Sequence, residues 1–219
     1  MRNSEFGMNA AEQNNSKFRI PNSELRIKKI PLRQAIICEG KYDAIRLASL
    51  FDALILPTDG FRIYNDGEKR ALFRRLAAQR GLVAATDSDA AGFQIRAYLK
   101  SFLPAQQLWH VYIPDVPGRE RRKDAPSKEG KLGVEGMETS ALLEAFEQVI
   151  QTQETRGKRQ DALTKLELYR DGFSGRPGCR ERYRALLREL DLPERLGTNV
   201  FCACVSREEY EQAKEKLRV

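Results

Sequence analysis

Four short apolar segments stand out along the chain, separated by longer stretches in which apolar residues recur at helical spacing. The segments cover residues 34–38, 53–57, 81–86 and 108–113. Each is a continuous apolar run rather than a strict alternation, which is typical of strands buried on both faces of a parallel sheet. The pattern therefore predicts four parallel strands.

The stretches that follow these segments predict helices over residues 42–51, 66–80, 90–102 and 139–151. Asp66 is a candidate N-cap and Gly81 a candidate stop signal for the second helix. Ile45 and Phe93 count among the apolar residues that we expect to face the core. Strands alternating with helices predict a doubly wound, Rossmann-like α/β sheet with right-handed crossovers.

Composition shifts along the chain predict three parts. Residues 1–30 are polar, lack the apolar centre of a secretory signal and are expected to form a flexible tail. Residues 31–152 form the α/β domain, with a long loop over 114–136, and a polar linker precedes a small helical domain at 160–219. Helices are predicted in that domain over 164–169, 180–190 and 207–217. No apolar run reaches the length of about eighteen residues that a membrane-spanning helix needs.

Charge and cysteine content narrow the class of protein. The formal net charge is +7 and the isoelectric point about 9.3, which fits an anionic partner such as nucleic acid or an anionic membrane surface. The four cysteines form no C-x-x-C pair and His110 is the single histidine, so a zinc site lacks ligands. We expect reduced, mostly buried thiols in a cytoplasmic protein, and a structural role for His110 inside its strand.

Acidic residues follow two of the predicted strands. Glu39 comes directly after the first strand with Asp43 four residues later, and Asp87 and Asp89 come directly after the third. Ligands of open parallel sheets collect at the carboxyl ends of the strands. Clustered carboxylates repel one another unless a cation or a raised pKa neutralises them, and hard divalent cations prefer oxygen ligands. The pattern predicts a divalent metal at Asp87 and Asp89, with Glu39 as a proton shuttle.

Taken singly, each motif also has an ordinary structural interpretation. A D-x-D pair often occupies a turn, and a glutamate at the start of a helix interacts favourably with the helix dipole. The hypothesis depends on the combination, because both motifs stand at strand ends within one βαβ array.

These residues also carry a family resemblance. The runs Glu39-Gly40-Lys41-Tyr42-Asp43 and Asp87-Ser88-Asp89-Ala90-Ala91-Gly92 resemble the two signature blocks of Toprim domains. The sequence is most similar to the small bacterial branch that contains the ribonuclease that matures 5S ribosomal RNA, ribonuclease M-five. Further matching stretches are Thr58-Asp59-Gly60, Gly92-Phe93-Gln94-Ile95-Arg96 and Gly133-Val134-Glu135. The resemblance covers about residues 33–150 well and the helical tail with lower specificity.

The resemblance implies a Toprim fold and hydrolysis of RNA backbone bonds. It implies that Glu39 is the general acid/base and that Asp87 and Asp89 are ligands of Mg²⁺, or of Mn²⁺. Asp43 is implied as an accessory acid, and Glu135 as a further part of the site. The implied partner is RNA, such as ribosomal RNA carrying a bound ribosomal protein.

Two departures leave the substrate open. The branch usually has Asn-Gly where this chain has Asp59-Gly60, and Pro and Phe near the second aspartate where this chain has Ala90 and Ala91. The alternatives are a Toprim endoribonuclease acting on structured RNA, a non-catalytic nucleic-acid-binding module resembling recombination mediators, and a DNA nuclease or nicking enzyme.

Basic residues near the predicted acidic site are candidates for contacts to backbone phosphates. A solvated surface loop is the alternative interpretation for those between 119 and 131. The candidates are Lys41, Arg62, Arg96, Arg119, Arg121, Arg122, Lys123, Lys128 and Lys131. Tyr64 is a candidate for stacking on a base, although a packed surface tyrosine is the simpler interpretation. In the tail, five arginines between 176 and 188 offer either an RNA-binding face or a solvated helix face.

Overall fold

The computed structural model describes residues 28–58, 64, 66–119, 130–154 and 162–217. All four predicted strands are present, each a little shorter than the apolar run that predicted it. The strands of the main sheet are β2 (Ala35–Cys38), β4 (Ile55–Pro57), β5 (Leu82–Thr86) and β6 (Leu108–Tyr112). A small parallel pair, β1 (Ile30–Pro31) and β3 (Phe51–Asp52), was not predicted, because two-residue strands carry no periodic signal.

The main sheet is parallel throughout and has the order β4-β2-β5-β6. The chain leaves β2 toward one edge of the sheet and later leaves β5 toward the other edge. The strand order therefore reverses between β2 and β5, which are hydrogen-bonded neighbours with Ile37 opposite Ala84. Ligands of doubly wound sheets bind at such a switch point, so the topology alone singles out the ends of these two strands.

Helices cover both faces of the sheet, and the predicted α/β class is confirmed. Their bounds are α1 (Lys41–Leu50), α2 (Gly67–Arg80), α3 (Ala90–Lys100), α4 (Thr139–Ala145), α5 (Glu147–Glu154), α6 (Lys165–Arg170), α7 (Cys179–Glu189), α8 (Thr198–Cys204) and α9 (Arg207–Leu217). The helix predicted over 139–151 is two helices that meet at Phe146. None of the helices in the described part of the chain has the length and apolar character to cross a membrane.

The predicted start and stop of α2 are both confirmed. The Asp66 side chain accepts a hydrogen bond from the backbone N–H of Lys69 at 2.8 Å, which satisfies one unpaired donor of the first turn. At the other end Gly81 has a φ of 81°, a backbone conformation that side chains with a Cβ rarely adopt. A Cβ at this position would also press against the ring of Trp109, so both backbone and packing require glycine.

Alternate residues of the central strands face two separate cores. Ala35 and Ile37 of β2 point toward α2 and α3, whereas Ile36 and Cys38 point toward α1, α4 and α5. This burial on both faces explains why the strands appear in the sequence as continuous apolar runs. The four cysteines are free thiols, of which Cys38 and Cys204 are buried.

The C-terminal helices pack against α2 and share its core. Arg75 of α2 donates from Nε to the carbonyl oxygen of Cys204 at 3.0 Å and forms an ion pair with Glu209. Helix α8, which carries the buried Phe201, was not predicted; it has seven residues and several of low helix propensity. One buried cluster thus joins α2 to the tail helices, and the division into domains at 152 and 160 stays a prediction.

Two residues predicted to be buried are exposed. Ile45 is 57% exposed and Phe93 is 51% exposed. Each lies two positions before a buried residue, Leu47 and Ile95 respectively, and residues two apart point to nearly opposite sides of a helix. The predictions for Ile45 and Phe93 were therefore wrong.

Candidate active site

The carboxyl ends of β2 and β5 bring Glu39 and Asp87 together. Glu39 follows β2 directly and Asp87 follows β5 directly, and these strands are neighbours. The Glu39 Oε1 accepts a hydrogen bond from the backbone N–H of Asp87 at 2.9 Å. Two acidic residues that are 48 positions apart in the sequence thus meet at the switch point of the sheet.

Asp43 and Asp89 lie beside this pair, and each also holds the start of a helix. The Asp89 Oδ1 accepts from the backbone N–H of Gly92 at 2.8 Å and caps α3. The Asp43 Oδ2 accepts from the backbone N–H of Gly40 at 3.0 Å in the first turn of α1. Both carboxylates therefore have a structural role, with one oxygen of each engaged at a helix N-terminus.

The end of the long loop returns to Asp87. The backbone N–H of Val134, in the short 3₁₀ helix Val134–Gly136, donates to the Asp87 Oδ1 at 2.8 Å. A Cβ on the neighbouring Gly133 would collide with both carboxylate oxygens of Asp87, so only glycine permits this approach. The resemblance had pointed to this stretch, but the contact of its backbone with Asp87 was not predicted.

Gly92 makes a second close approach. A Cβ at this position would collide with the carbonyl oxygen of Asp87 and would lie 2.9 Å from the Glu39 Oε1. Glycine therefore lets the first turn of α3 come up against the two carboxylates. The sequence carries this signal as the glycine that ends the second signature block.

The negative charges at this edge change the protonation of Glu39. Burial, and to a lesser extent the nearby charges of Asp87, Asp89 and Asp43, together raise the pKa of Glu39 to about 7, against a lowering by the hydrogen bond from the backbone of Asp87. A carboxyl group with this pKa takes up and releases protons near neutral pH. That is the property that general acid/base chemistry requires.

The acidic residues fit a hard divalent cation by the chemistry of their donor atoms, although their side chains do not converge on one point. Within the described residues, no three or more His, Cys, Asp or Glu side chains are arranged to hold a metal ion. Asp87 and Asp89 each direct one oxygen at a backbone N–H. Their other oxygens belong to an all-oxygen, like-charged set, the donor type that Mg²⁺ prefers.

Glu135 lies next to Val134 but opens onto a different groove. It lines a cavity of about 470 Å³ together with Arg46 and Arg119. Asp89 lines another, of about 460 Å³, whose wall includes Phe93, Asp115 and Lys131. The 3₁₀ turn that holds Asp87 thus links the carboxylate pair to the Glu135 groove.

Thr58 holds the backbone of Glu39 in place, a role that was not predicted. This fully buried threonine donates from its hydroxyl to the carbonyl oxygen of Glu39 at 3.2 Å, and its own carbonyl accepts from the Lys69 Nζ at 3.2 Å. These bonds connect the end of β4 and helix α2 to the backbone of Glu39. The resemblance marked the stretch that begins with Thr58 without indicating this role.

The position of Arg96 contradicts its predicted contact with a backbone phosphate. It is 2% exposed, and its guanidinium group donates to the carbonyl oxygens of Ala84, Thr86 and Val111 at 2.6–3.1 Å. The exposed ring of Tyr112 lies over it, with 4.4 Å between Cζ and the ring centroid. Arg96 therefore ties β5 to β6 from inside the protein and does not reach an incoming phosphate.

The other basic candidates divide into three groups. Lys41 and Arg119 are exposed, and Lys131 forms an ion pair with Asp115 at 2.8 Å. In the tail, Arg182 donates to the carbonyl oxygens of Gly172 and Pro177 and so has a structural role. The basic candidates that lie outside the described residues are Arg62, Arg121, Arg122, Lys123 and Lys128, and Asp59 and Gly60 of the matching stretch lie outside them as well.

The side chains of His110 and Tyr64 both pack against neighbouring residues of the fold. His110 lies in β6 beside Arg96, where burial and the charges of Lys100 and Arg96 lower its pKa to about 4. The ring of Tyr64 packs edge-on against Tyr98, with 4.7 Å between the ring centroids. The structural interpretation of both residues is consistent with these contacts.

Comparison with known proteins places the chain beside bacterial ribonucleases. It is 32% identical to Ribonuclease M5 of Lactiplantibacillus plantarum over 172 residues, which are 78% of this chain and 81% of the relative. It is 26% identical to Ribonuclease M5 of Lactococcus lactis subsp. lactis over 193 residues, 88% of this chain and 85% of the relative. No family model matches the chain.

One solved structure, a small Toprim domain protein from Bacillus stearothermophilus, aligns with 53% of this chain and 88% of its own at a TM-score of 0.37 and 18% identity. An overlap this limited supports no conclusion about the chemistry of the site.

Proposed function

The chain belongs to the ribonuclease M5 family, and from that premise we propose that it is a Mg²⁺-dependent endoribonuclease that hydrolyses phosphodiester bonds in structured RNA. The observation that supports this proposal best is the contact between Glu39 and Asp87 at the switch point of the sheet. The relatives are ribonucleases, which indicates the reaction class, and the raised pKa of Glu39 provides a group suited to that reaction.

Each acidic residue has a proposed part in this reaction. Glu39 holds or releases the proton that moves as the backbone bond breaks, since its pKa lies near neutral pH. Asp87 and Asp89 would hold the metal, with Asp43 as an accessory acid and Glu135 as a further part of the site. When bound, Mg²⁺ would polarise a phosphoryl oxygen and stabilise the leaving oxygen.

Basic side chains near the site would position the RNA backbone. We propose Lys41, Arg119 and Lys131 for this role, together with the basic residues of the 120–129 segment that the sequence indicates. Contacts of this kind are electrostatic and therefore weaken as salt concentration rises. We further propose a precursor of ribosomal RNA as the substrate, a bound ribosomal protein as the partner, and action in the cytoplasm.

Cleavage of a structured precursor RNA with and without Mg²⁺ tests the proposal. We expect cleavage that requires the metal and that falls by roughly 100-fold or more in Glu39→Gln and in Asp89→Asn. Asparagine caps helices as well as aspartate does, so Asp89→Asn should keep α3 intact. Asp52→Asn is the matched control, because Asp52 is exposed on β3 away from the site.

Mn²⁺ binding, followed by calorimetry, gives a readout that does not depend on turnover. We expect binding by the parent protein and by Asp52→Asn, and weaker binding by Asp89→Asn. Cleavage of RNA that is equal in the parent and in Asp89→Asn would refute the assignment of the site. Metal-dependent cleavage of duplex DNA in place of RNA would support the DNA-nuclease alternative, and salt-sensitive binding without any cleavage would support a binding module.

A further inference from the structure

The 3₁₀ turn that holds Asp87 is itself fixed by an arginine of α1. The guanidinium group of Arg46 donates from Nη2 to the carbonyl oxygen of Met137 at 2.9 Å and to the hydroxyl oxygen of Thr139 at 3.0 Å. Met137 directly follows the turn, and Thr139 is the first residue of α4. Arg46 therefore joins the side of α1 to the junction between the turn and the next helix.

The turn is held from two sides. Val134 and Met137 are buried in the core that also contains Leu47 of α1. Arg46 is half-buried and lines the groove onto which Glu135 opens. Apolar packing thus fixes the turn from the core, and the two hydrogen bonds of Arg46 fix it from the groove.

Helix α1 is connected in this way to both members of the carboxylate pair. It begins two residues after Glu39, and Arg46 lies on its second turn. The turn that Arg46 holds presents the backbone N–H of Val134 to the Asp87 Oδ1 at 2.8 Å. The placement of the Asp87 carboxylate beside Glu39 therefore depends on α1 as well as on the strands that carry the two residues.

We propose that Arg46 is a positioning residue for Asp87, because it holds the 3₁₀ turn against α1 and so keeps the N–H of Val134 directed at the Asp87 carboxylate. Hydrogen bonds that orient a metal ligand contribute to metal affinity and to turnover without touching the substrate. The inference rests on the proposed function and deepens it, since it assigns to a residue of α1 a part in setting the geometry in which Asp87 acts.

Hydrogen–deuterium exchange of the metal-free protein tests the structural part of the proposal without any cleavage. Arg46→Met keeps the apolar stem of the side chain and removes its donors. We expect backbone amides over residues 133–139 to exchange roughly ten-fold faster in this variant. Exchange in β2 and β5 should stay unchanged, which shows that the sheet remains folded.

Metal binding and RNA cleavage test the functional part. In Arg46→Met we expect Mn²⁺ binding, followed by calorimetry, to weaken roughly ten-fold and kcat for RNA cleavage with Mg²⁺ to fall by a similar factor. KM and the salt dependence of RNA binding should not change, because a positioning residue does not contact a phosphate.

Three further variants serve as comparisons. Arg46→Lys keeps the charge and one donor group, so we expect it to restore part of each loss. Thr139→Val removes one of the two acceptors and should also give an intermediate effect. Arg74→Met makes the same substitution at an exposed arginine of α2, and all of the measured quantities should equal those of the parent.

Two results would overturn the inference. One is an Arg46→Met protein whose Mn²⁺ binding and kcat equal those of the parent, whatever its exchange over 133–139. The other is a raised KM and a reduced salt slope at unchanged kcat, which would assign Arg46 to a phosphate of the RNA. Either result would leave the proposed nuclease intact, provided that the parent cleaves RNA. Faster exchange and weaker Mn²⁺ binding in Arg46→Met, with a parent that cleaves no RNA, would support the positioning role and refute the proposed function instead.

Discussion

Replacement of Arg96 by methionine tests the structure most directly, because sequence and structure assign the residue different roles. Methionine has a comparable length and removes the guanidinium group from a position that is 2% exposed. The carbonyl oxygens of Ala84, Thr86 and Val111 would then lose the donor that joins β5 to β6 beside the site.

The expected cost follows from those three hydrogen bonds. A buried polar group that loses its partner costs about 1–3 kcal/mol, but strand carbonyls keep their ladder partners, so the lower end of that range applies to each. Removing the buried charge also removes its desolvation penalty, which offsets part of the loss. We expect Arg96→Met to lower the free energy of unfolding by about 2–4 kcal/mol, a large part of the 5–15 kcal/mol typical of a domain.

Urea unfolding followed by circular dichroism measures this loss. Arg188→Met, on the exposed side of α7, is the control and should change stability by less than about 0.5 kcal/mol. Arg96→Lys keeps the charge but cannot reach three carbonyls at once, so we expect an intermediate loss. An Arg96→Met protein as stable as the parent would refute the role in holding β5 and β6 together.

The dependence of RNA binding on salt discriminates the two roles of Arg96 independently. If Arg96 contacted a phosphate, its removal would reduce the slope of log K against log salt by about one unit. The buried position predicts an unchanged slope in any variant that remains folded. A reduced slope at full stability would favour the phosphate contact that the sequence predicted.

Three further predictions follow from the geometry of the site and its surroundings. Gly133→Ala places a Cβ against the carboxylate of Asp87. We expect RNA cleavage to fall by at least about ten-fold in a kinetic assay and the free energy of unfolding to fall by about 1–2 kcal/mol. Full activity would show that Asp87 does not act from this position. Glu39→Gln should stabilise the metal-free protein at about pH 8 by roughly 1–3 kcal/mol, measured by urea titration. The folded pKa of Glu39 is raised to about 7, so the parent protein loses stability as pH rises from about 4.5 through 7, and glutamine cannot ionise. The gain in stability should vanish at about pH 4. His110 is the single histidine, and its pKa in the folded protein is about 4, so the unfolded chain takes up a proton first as pH falls below about 6.5. Between pH 6.5 and 4 the free energy of unfolding of the parent should therefore fall by roughly 1–2 kcal/mol more than that of His110→Gln. Parallel curves of stability against pH for the two proteins would contradict this.

The part of the fold that could be predicted is the part with a strong periodic signal. Strands β2 and β5 are buried on both faces and were visible as apolar runs, and Asp66 and Gly81 marked the ends of α2. Helix α8 was missed because its stability comes from packing Phe201 into a core shared with α2 rather than from its own pattern. Tertiary contacts of that kind leave no local trace in a sequence.

The candidate site was predictable in position but not in detail. Glu39 and Asp87 follow adjacent strands, so the sheet brought them together as the sequence predicted. Arg96 was misjudged because the sequence shows a cation near the acidic block without showing that its partners are backbone carbonyls. The close approaches at Gly92 and Gly133 depend on how α3 and the returning loop fold over the strand ends, which no single segment determines.

Four neighbouring carboxylates repel one another and so destabilise the folded protein, and the structure shows which contacts offset this repulsion. Glu39, Asp43, Asp87 and Asp89 each accept a hydrogen bond from a backbone N–H, and those of Asp43 and Asp89 come from helix starts. Bonds to a charged acceptor contribute about 1.5–3 kcal/mol each, enough to offset much of the mutual repulsion. The raised pKa of Glu39 lets this carboxyl group hold a proton near neutral pH, which reduces the remaining repulsion. Burial and the neighbouring carboxylates, acting against the hydrogen bond from the backbone of Asp87, therefore keep the Glu39 carboxyl group able to exchange a proton near neutral pH.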